Sequence, residues 1–242
     1  KFWLIARLAG IPRRIGLQNG NGWFLTERVP DHGFGAKHEA EYALDLVSVL
    51  GASIEKRRAQ VAFDDGILPL PLKRTRRVIL HPGSGGYNTA RRWYIERFAA
   101  LADALQREYD AEIVVIGTKD DGGDQLVSQM QAPAANLSGK TSLTQLADVI
   151  RSADLYIGAD SGIMHLAAAV RVPVIALFGP SNADAWYPWS PGGNTAVLSH
   201  NLECSPCAYV GHSLGARGGC PARTCMRLIT VEQVLEAARD LL

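Results

Sequence analysis

ADSGIMHLAAAVRVPVIALFGP, residues 159–180, reads as a tight polar turn, a short helix, a Pro-bounded apolar strand and a second glycine turn. Ahead of it runs Leu155-Tyr156-Ile157, an apolar stretch that stops at Gly158. Asp160-Ser161-Gly162 therefore falls where the carboxyl end of a buried strand meets a helix N-terminus. Free backbone N–H groups and the positive end of the helix dipole make such a turn an anion site. Ser161 adds a hydroxyl, Gly162 lets a ligand approach the backbone, and His165 stands one helical turn further on, at the same mouth. Asp-Ser is also an ordinary helix cap, and a helical His is usually structural.

A second stretch decides between these readings. HPGSGGYNTARRW, residues 81–93, follows the apolar strand Arg77-Val78-Ile79-Leu80. Gly83-Ser84-Gly85-Gly86 is followed by Arg91-Arg92 and then by an amphipathic helix. A strand, a glycine-rich loop and cations able to grip an anion in a forked geometry suit a phosphate. Two such turns at strand ends of one α/β unit suggest one diphosphate between them.

Around these turns, strands and helices alternate as a doubly wound sheet requires. The pattern predicts strands at 77–80, 112–116, 154–158, 173–178 and 195–199, and a short segment at Asn136-Leu137. Helices are predicted over 94–108, 122–131, 143–151, 162–169 and 231–242, the last capped by Thr230 with Gln233 three residues later. Before residue 76 the pattern is weaker. Residues 1–18 read as a short amphipathic helix stopped at Gly10, then a strand; residues 19–35 read as loop. Residues 38–50 form an amphipathic helix with Gly51 as its stop, and His38-Glu39 at its start is either a surface cap or substrate-facing. Residues 55–77, rich in cations and holding Pro69 and Pro71, read as an interdomain linker.

Composition narrows the function. With 242 residues, 47% of them hydrophobic, the chain can bury one large core or two modest ones. A formal net charge of +1 offers no footprint for nucleic acid. No apolar run approaches the ~18 residues of a membrane span, and Lys1-Phe2 does not open a secretory signal, so a cytoplasmic protein is expected.

HPGSGGYNTARRW, IGTKDD at 116–121, the run from Asn136 to Ala169, and FGPS followed by Trp186 and Pro188 together resemble the bacterial glycosyltransferases of family nine. These are the heptosyltransferases of the lipopolysaccharide inner core, and the likeness is greatest to the heptosyltransferase II type. The resemblance runs from about Val78 to the C-terminus. It implies a GT-B fold with the C-terminal Rossmann-like domain complete and the N-terminal one only partly present. Residues 1–75 would be a remnant of the acceptor-side domain plus linker, with about a hundred residues preceding it. Residues 76–242 would be the nucleotide-sugar domain.

The reaction implied is inverting transfer of heptose from ADP-L-glycero-D-manno-heptose to the core acceptor, Kdo-lipid A or heptosyl-Kdo-lipid A. The leaving diphosphate needs its growing charge stabilised, and the chain has no Asp-x-Asp metal motif. A metal-independent transfer without cofactor is expected. Ser84, Gly85, Gly86, Ser161 and Gly162 would meet phosphate oxygens, with Arg92 beside them. Arg91, where the family often has Lys, would neutralise the leaving group. His165 would bond the diphosphate or orient Asp160, and Asp160 would hold the turn or touch sugar hydroxyls. Asp120 or Asp121 would accept from the ribose. The general base is expected in the N-terminal region that precedes this chain. Other readings are a related transferase with another donor or acceptor, and a non-catalytic nucleotide-binding module.

Cys204, Cys207, Cys220 and Cys225 are spaced as a set that suggests zinc, although a loop of reduced thiols fits the loose second spacing better. The lipid-linked acceptor would bring the protein to the inner face of the inner membrane. Lys56, Arg57, Arg58, Lys73, Arg74, Arg76 and Arg77 are the cations available for that contact.

Overall fold

The computed structural model describes residues 2–20, 22–55, 57–63, 70, 75–86, 88–208 and 220–242. Tyr87 and, in the expected linker, Lys56, Pro69, Pro71, Lys73 and Arg74 lie outside the described residues. The chain divides into two compact units, Lys1–Arg57 with Asp184–Trp186 and Arg58–Ala183 with Tyr187–Leu242.

In the first unit, α1 (Phe2–Leu8) precedes β1 (Ile15–Gln18), which pairs in parallel with β2 (Glu27–Pro30), and α2 (Glu39–Ser48) follows. The expectation of loop throughout 19–35 is corrected at β2. Glu-Arg-Val-Pro has no apolar alternation to announce a strand, and it becomes one because β1 supplies its hydrogen bonds. Parallel strands ordinarily need a crossover of a dozen or more residues. Here residues 19–26 suffice, because the side chain of Leu25 turns inward over Gly16 and Gly22, where an added Cβ would lie 3.0 Å from Leu25 Cδ1. Arg14 closes the turn by donating from Nε to the Phe24 carbonyl, 2.7 Å, and from its backbone N–H to Thr26 Oγ1, 2.7 Å. His38 caps α2, its Nδ1 accepting from Ala40 N at 3.0 Å, and its side chain is buried.

Among the described residues the second unit holds a six-stranded parallel sheet. Its members are β3 (Arg77–His81), β4 (Glu112–Val115), β5 (Ala135–Asn136), β6 (Leu155–Ala159), β7 (Val174–Phe178) and β8 (Thr195–Ser199), in the order β5-β4-β3-β6-β7-β8. Helices α3 (Ile95–Tyr109), α4 (Gly123–Gln129), α5 (Leu143–Arg151) and α6 (Gly162–Ala169) connect successive strands. Then come α7 (Ala183–Trp186, shared between the units), α8 (Thr224–Arg227) and α9 (Val231–Leu241). The four-residue helices α7 and α8 are absent from the sequence reading because one turn carries no periodicity.

Strands β3, β6 and β7 are buried along their whole length, as a sheet covered on both faces requires. Successive side chains alternate between faces. Val78, Leu80, Ile113, Val115, Leu155 and Ile157 join one core with Phe98, Leu101 and Leu105 of α3 and Val234 and Ala238 of α9. Arg77 starts β3 fully buried, and its guanidinium is satisfied by Glu112 at 2.9 Å and Ser152 Oγ at 2.8 Å.

The strand order fixes where a ligand belongs. From β3 the chain winds outward through β4 to β5, then returns to lay β6 against the other side of β3, with His81 opposite Gly158. The crevice beyond the carboxyl ends of β3 and β6 is therefore the topological switch point, the habitual ligand site of open α/β sheets. Both glycine turns read from the sequence leave the sheet there.

Candidate functional site

After β3 the chain enters Pro82-Gly83-Ser84-Gly85-Gly86. Ser84 is buried and donates from Oγ to the Asn88 carbonyl, 2.8 Å, which folds the loop back on itself. Asn88 caps the 3-10 turn Thr89–Arg91 by accepting from Ala90 N at 2.9 Å. Trp93 anchors the far end: it is buried, donates from Nε1 to the Ile229 carbonyl at 3.0 Å, and meets Phe98 edge to face with centroids 5.0 Å apart. The Arg223 guanidinium donates to the carbonyls of Ala90 and Arg92. The backbone that carries Arg91 and Arg92 is thus held on both sides.

Arg91 reaches across the crevice. Its Nη1 is 3.1 Å from Asp160 Oδ2 and its Nη2 donates to the Ser84 carbonyl at 2.9 Å, so one guanidinium ties the β3 turn to the β6 turn. Asp160 and Ser161 are both 5% exposed. Ser161 caps α6, its Oγ accepting from Met164 N at 3.2 Å. His165, on the next turn of α6, is partly buried. A Cβ added to Gly85, Gly86 or Gly162 would meet no atom within 4 Å, so these glycines line open space. Gly85 also needs its φ of +72°, a conformation that favours glycine.

Arg92 turns the other way. It donates to the Asp120 carbonyl at 3.0 Å and to Asp121 Oδ1 at 2.8 Å. Asp121 is 3% exposed, and its Oδ2 accepts from Thr118 N at 2.7 Å and Thr118 Oγ1 at 2.8 Å. Burial works to raise the Asp121 carboxyl, but the His81 imidazole beside it and the two Thr118 bonds hold it well below the usual carboxylate range. Gly83 permits this packing, since a Cβ there would lie 2.3 Å from Asp121 Cγ. The side chain of Asp120 is exposed.

Beneath the turns lies a network absent from the sequence reading. His81, 2% exposed, places Nδ1 3.0 Å from the Tyr156 hydroxyl and 3.4 Å from Ser161 Oγ, and Nε2 3.9 Å from Asp121 Oδ2. With its proton on Nε2, toward the carboxylate, His81 accepts from Tyr156 through Nδ1. Burial pushes the Tyr156 phenol above its ordinary range, so it stays a neutral donor. Gly158 makes room for that hydroxyl, 2.6 Å from where its Cβ would be. The available signal was a His closing an otherwise apolar strand and a Tyr inside another.

The family model of glycosyltransferase family 9 (heptosyltransferase) matches residues 27–216. The chain belongs to that family. Lipooligosaccharide heptosyltransferase 2 of Campylobacter jejuni is 30% identical over 181 residues, 72% of this chain and 54% of the relative. Lipopolysaccharide heptosyltransferase 3 of Escherichia coli is 36% identical over 163 residues, 62% of this chain and 47% of the relative. The chain spans about half the length of these curated relatives. Among solved structures, the ADP-heptose lipopolysaccharide heptosyltransferase II of E. coli superposes with a TM-score of 0.70 at 25% identity, covering 99% of this chain and 72% of that one. The parallel α/β architecture is that of the GT-B fold expected from the sequence.

The cysteines and the cations named for a membrane surface have the following surroundings in this family 9 chain. All four cysteines are free, and among the described residues no group of three His, Cys, Asp or Glu is placed to hold a metal ion. Cys204 and Cys220 sit at the surface, whereas Cys225 is buried with its sulfur 3.2 Å from the Cβ position of Gly179. Burial, with the neighbouring cysteines, also pushes the Cys207 and Cys225 thiols up, away from the thiolate. Of the cations named for a membrane surface, Arg77 is buried against Glu112 and Arg57 pairs with Glu41 at 2.5 Å, while Arg76 lies over the Tyr109 ring. Among the described residues no helix is long and apolar enough to cross a membrane.

Proposed function

We propose that the second unit binds the diphosphate of a nucleotide sugar and that the whole protein transfers heptose from ADP-heptose to the lipopolysaccharide inner core. The carrying observation is the meeting of Arg91 with the Asp160-Ser161-Gly162 turn at the switch point of the sheet. Residues 76–242 form the donor-binding domain in this reading, and residues 1–75 belong to the acceptor side and the linker. The names of the relatives, all heptosyltransferases, support the sugar.

Transfer creates negative charge on the leaving diphosphate, and the site has the means to stabilise it. The Arg91 guanidinium and the N-terminus of α6 supply positive potential in a largely dehydrated crevice, where it acts more strongly than in water. In this reading the displacement is inverting, as the family resemblance implies, and the positive potential of these groups takes the part that a metal would otherwise play. Ser161 already uses its hydroxyl in the cap, so the phosphate meets the backbone N–H groups of the turn, with His165 beside it. Gly85 and Gly86 let the β3 loop close over the same oxygens, near Ser84. Of the two carboxylates after β4, Asp120 is the one exposed to accept from ribose hydroxyls, and Asp121 with Arg92 holds the loop that presents it. The acceptor would place the protein on the cytoplasmic face of the inner membrane.

Calorimetric titration with ADP, GDP and UDP tests this. Saturable binding selective for ADP is expected. Arg91→Ala should weaken it about 10- to 100-fold, the range of a charge-assisted hydrogen bond. Equal binding of all three nucleotides would overturn the ADP assignment. Binding that is indifferent to Arg91 would overturn the site.

A further inference from the structure

The ion pair between Arg91 and Asp160 sits where the proposed diphosphate must sit. Side-chain exposures of 14% and 8% place the pair in a largely dehydrated crevice, so it is screened far less than a surface pair. Arg91 presents its terminal nitrogens to Asp160 and to the Ser84 carbonyl, and its Nε is buried without a hydrogen-bond partner. A forked grip on a phosphate needs two parallel N–H groups along one edge of the guanidinium. One edge is occupied by protein acceptors and the other is closed off by burial at Nε. An incoming diphosphate therefore meets a cation already neutralised by a resident carboxylate.

From this we infer that Asp160 is an internal competitor for the diphosphate. Binding proceeds by exchange, with Arg91 passing from the Asp160 carboxylate to a phosphate oxygen. The inference rests on the donor-site reading given above. It has a consequence for selectivity. Asp160 is 5% exposed, and a buried carboxylate that loses its cation must find other donors or raise the energy of the complex. The hydroxyls of a nucleotide-bound sugar supply such donors, whereas a bare nucleoside diphosphate has none to offer at that position. The exchange thus favours the nucleotide sugar over the nucleoside diphosphate left after transfer. When the sugar has gone, Asp160 recaptures Arg91 and helps to expel the product.

Titration of the chain, Asp160→Asn, Arg91→Ala and the double variant with inorganic pyrophosphate, ADP and ADP-heptose tests this, with a thermal melt of each protein to show that it is folded. Asp160→Asn should bind pyrophosphate and ADP about tenfold more tightly, since coupling between close charges in such sites reaches this size. ADP-heptose should gain less, because it loses the hydroxyl contacts at the same time. The gain for ADP should vanish in the Arg91→Ala background, read at millimolar ligand. A gain that survives there would reduce Asp160 to through-space repulsion and overturn the exchange. Binding of ADP that is unchanged or weaker in Asp160→Asn overturns the exchange while leaving the donor site standing. Absence of binding of all three ligands by both the unaltered chain and Asp160→Asn, each folded, overturns the donor site and the exchange with it.

Discussion

Asp120 and Asp121 are neighbours in sequence with opposite surroundings. From the sequence either could meet the ribose, and only the packing of Gly83, Thr118, His81 and Arg92 around Asp121 separates them. Because the folded-state value of Asp121 is depressed, its ionised form stabilises the fold at pH values above its ordinary 3.8, and that contribution is lost as pH falls through the lower folded value. Urea denaturation of the chain and of Asp121→Asn should therefore show a gap that is widest near neutral pH and narrows below about pH 4. Tyr156 offers a second test at this scale. Tyr156→Phe leaves His81 Nδ1 buried beside an empty hydroxyl position, and a loss of about 1 to 3 kcal/mol is expected by the same measurement. An unchanged stability would mean that the network beneath the turns contributes nothing.

Helix α6 is short, and its start matters more than its length. Ser161 at its N-cap has the extended backbone of a capping residue, and its Oγ takes one of the free N–H groups of the first turn, leaving others for a ligand. Ser161→Ala should cost about 1 kcal/mol of stability. It should also weaken ADP binding several-fold as the first turn frays, readable by calorimetry at constant temperature. The 3-10 turn Thr89–Arg91 is held differently, by the Trp93 indole bond to Ile229 and by Arg223, both supplied from the end of the chain. The segment that includes α8 and Ile229 is a brace for the cations at the site.

At the scale of the molecule, the sheet order makes neighbours of two turns that are far apart in the chain, Arg91 and Asp160 being separated by 69 positions. His81 and Tyr156 are 75 residues apart in the chain and 3.0 Å apart in space. The family match over residues 27–216 spans both units of the chain.

The periodic elements of the second unit were legible because each carries its own signal: β3, β6 and β7 are apolar runs, and α3, α5, α6 and α9 have amphipathic or capped patterns that local physics alone satisfies. The two glycine turns were legible for the same reason, since a glycine loop after an apolar strand is a local feature. Strand β2 was not, because its residues pair only when β1 is beside them. Nor were the inward turn of Asp121, the His81 network or the bond between Arg91 and Asp160. Each of these depends on groups brought together across the sheet, and burial and electrostatics act on distances in space that sequence spacing does not contain. The sequence by itself determined the architecture and the two turns that bound the candidate site. The tertiary structure decided which side chains remain available to a ligand and which are already occupied by one another.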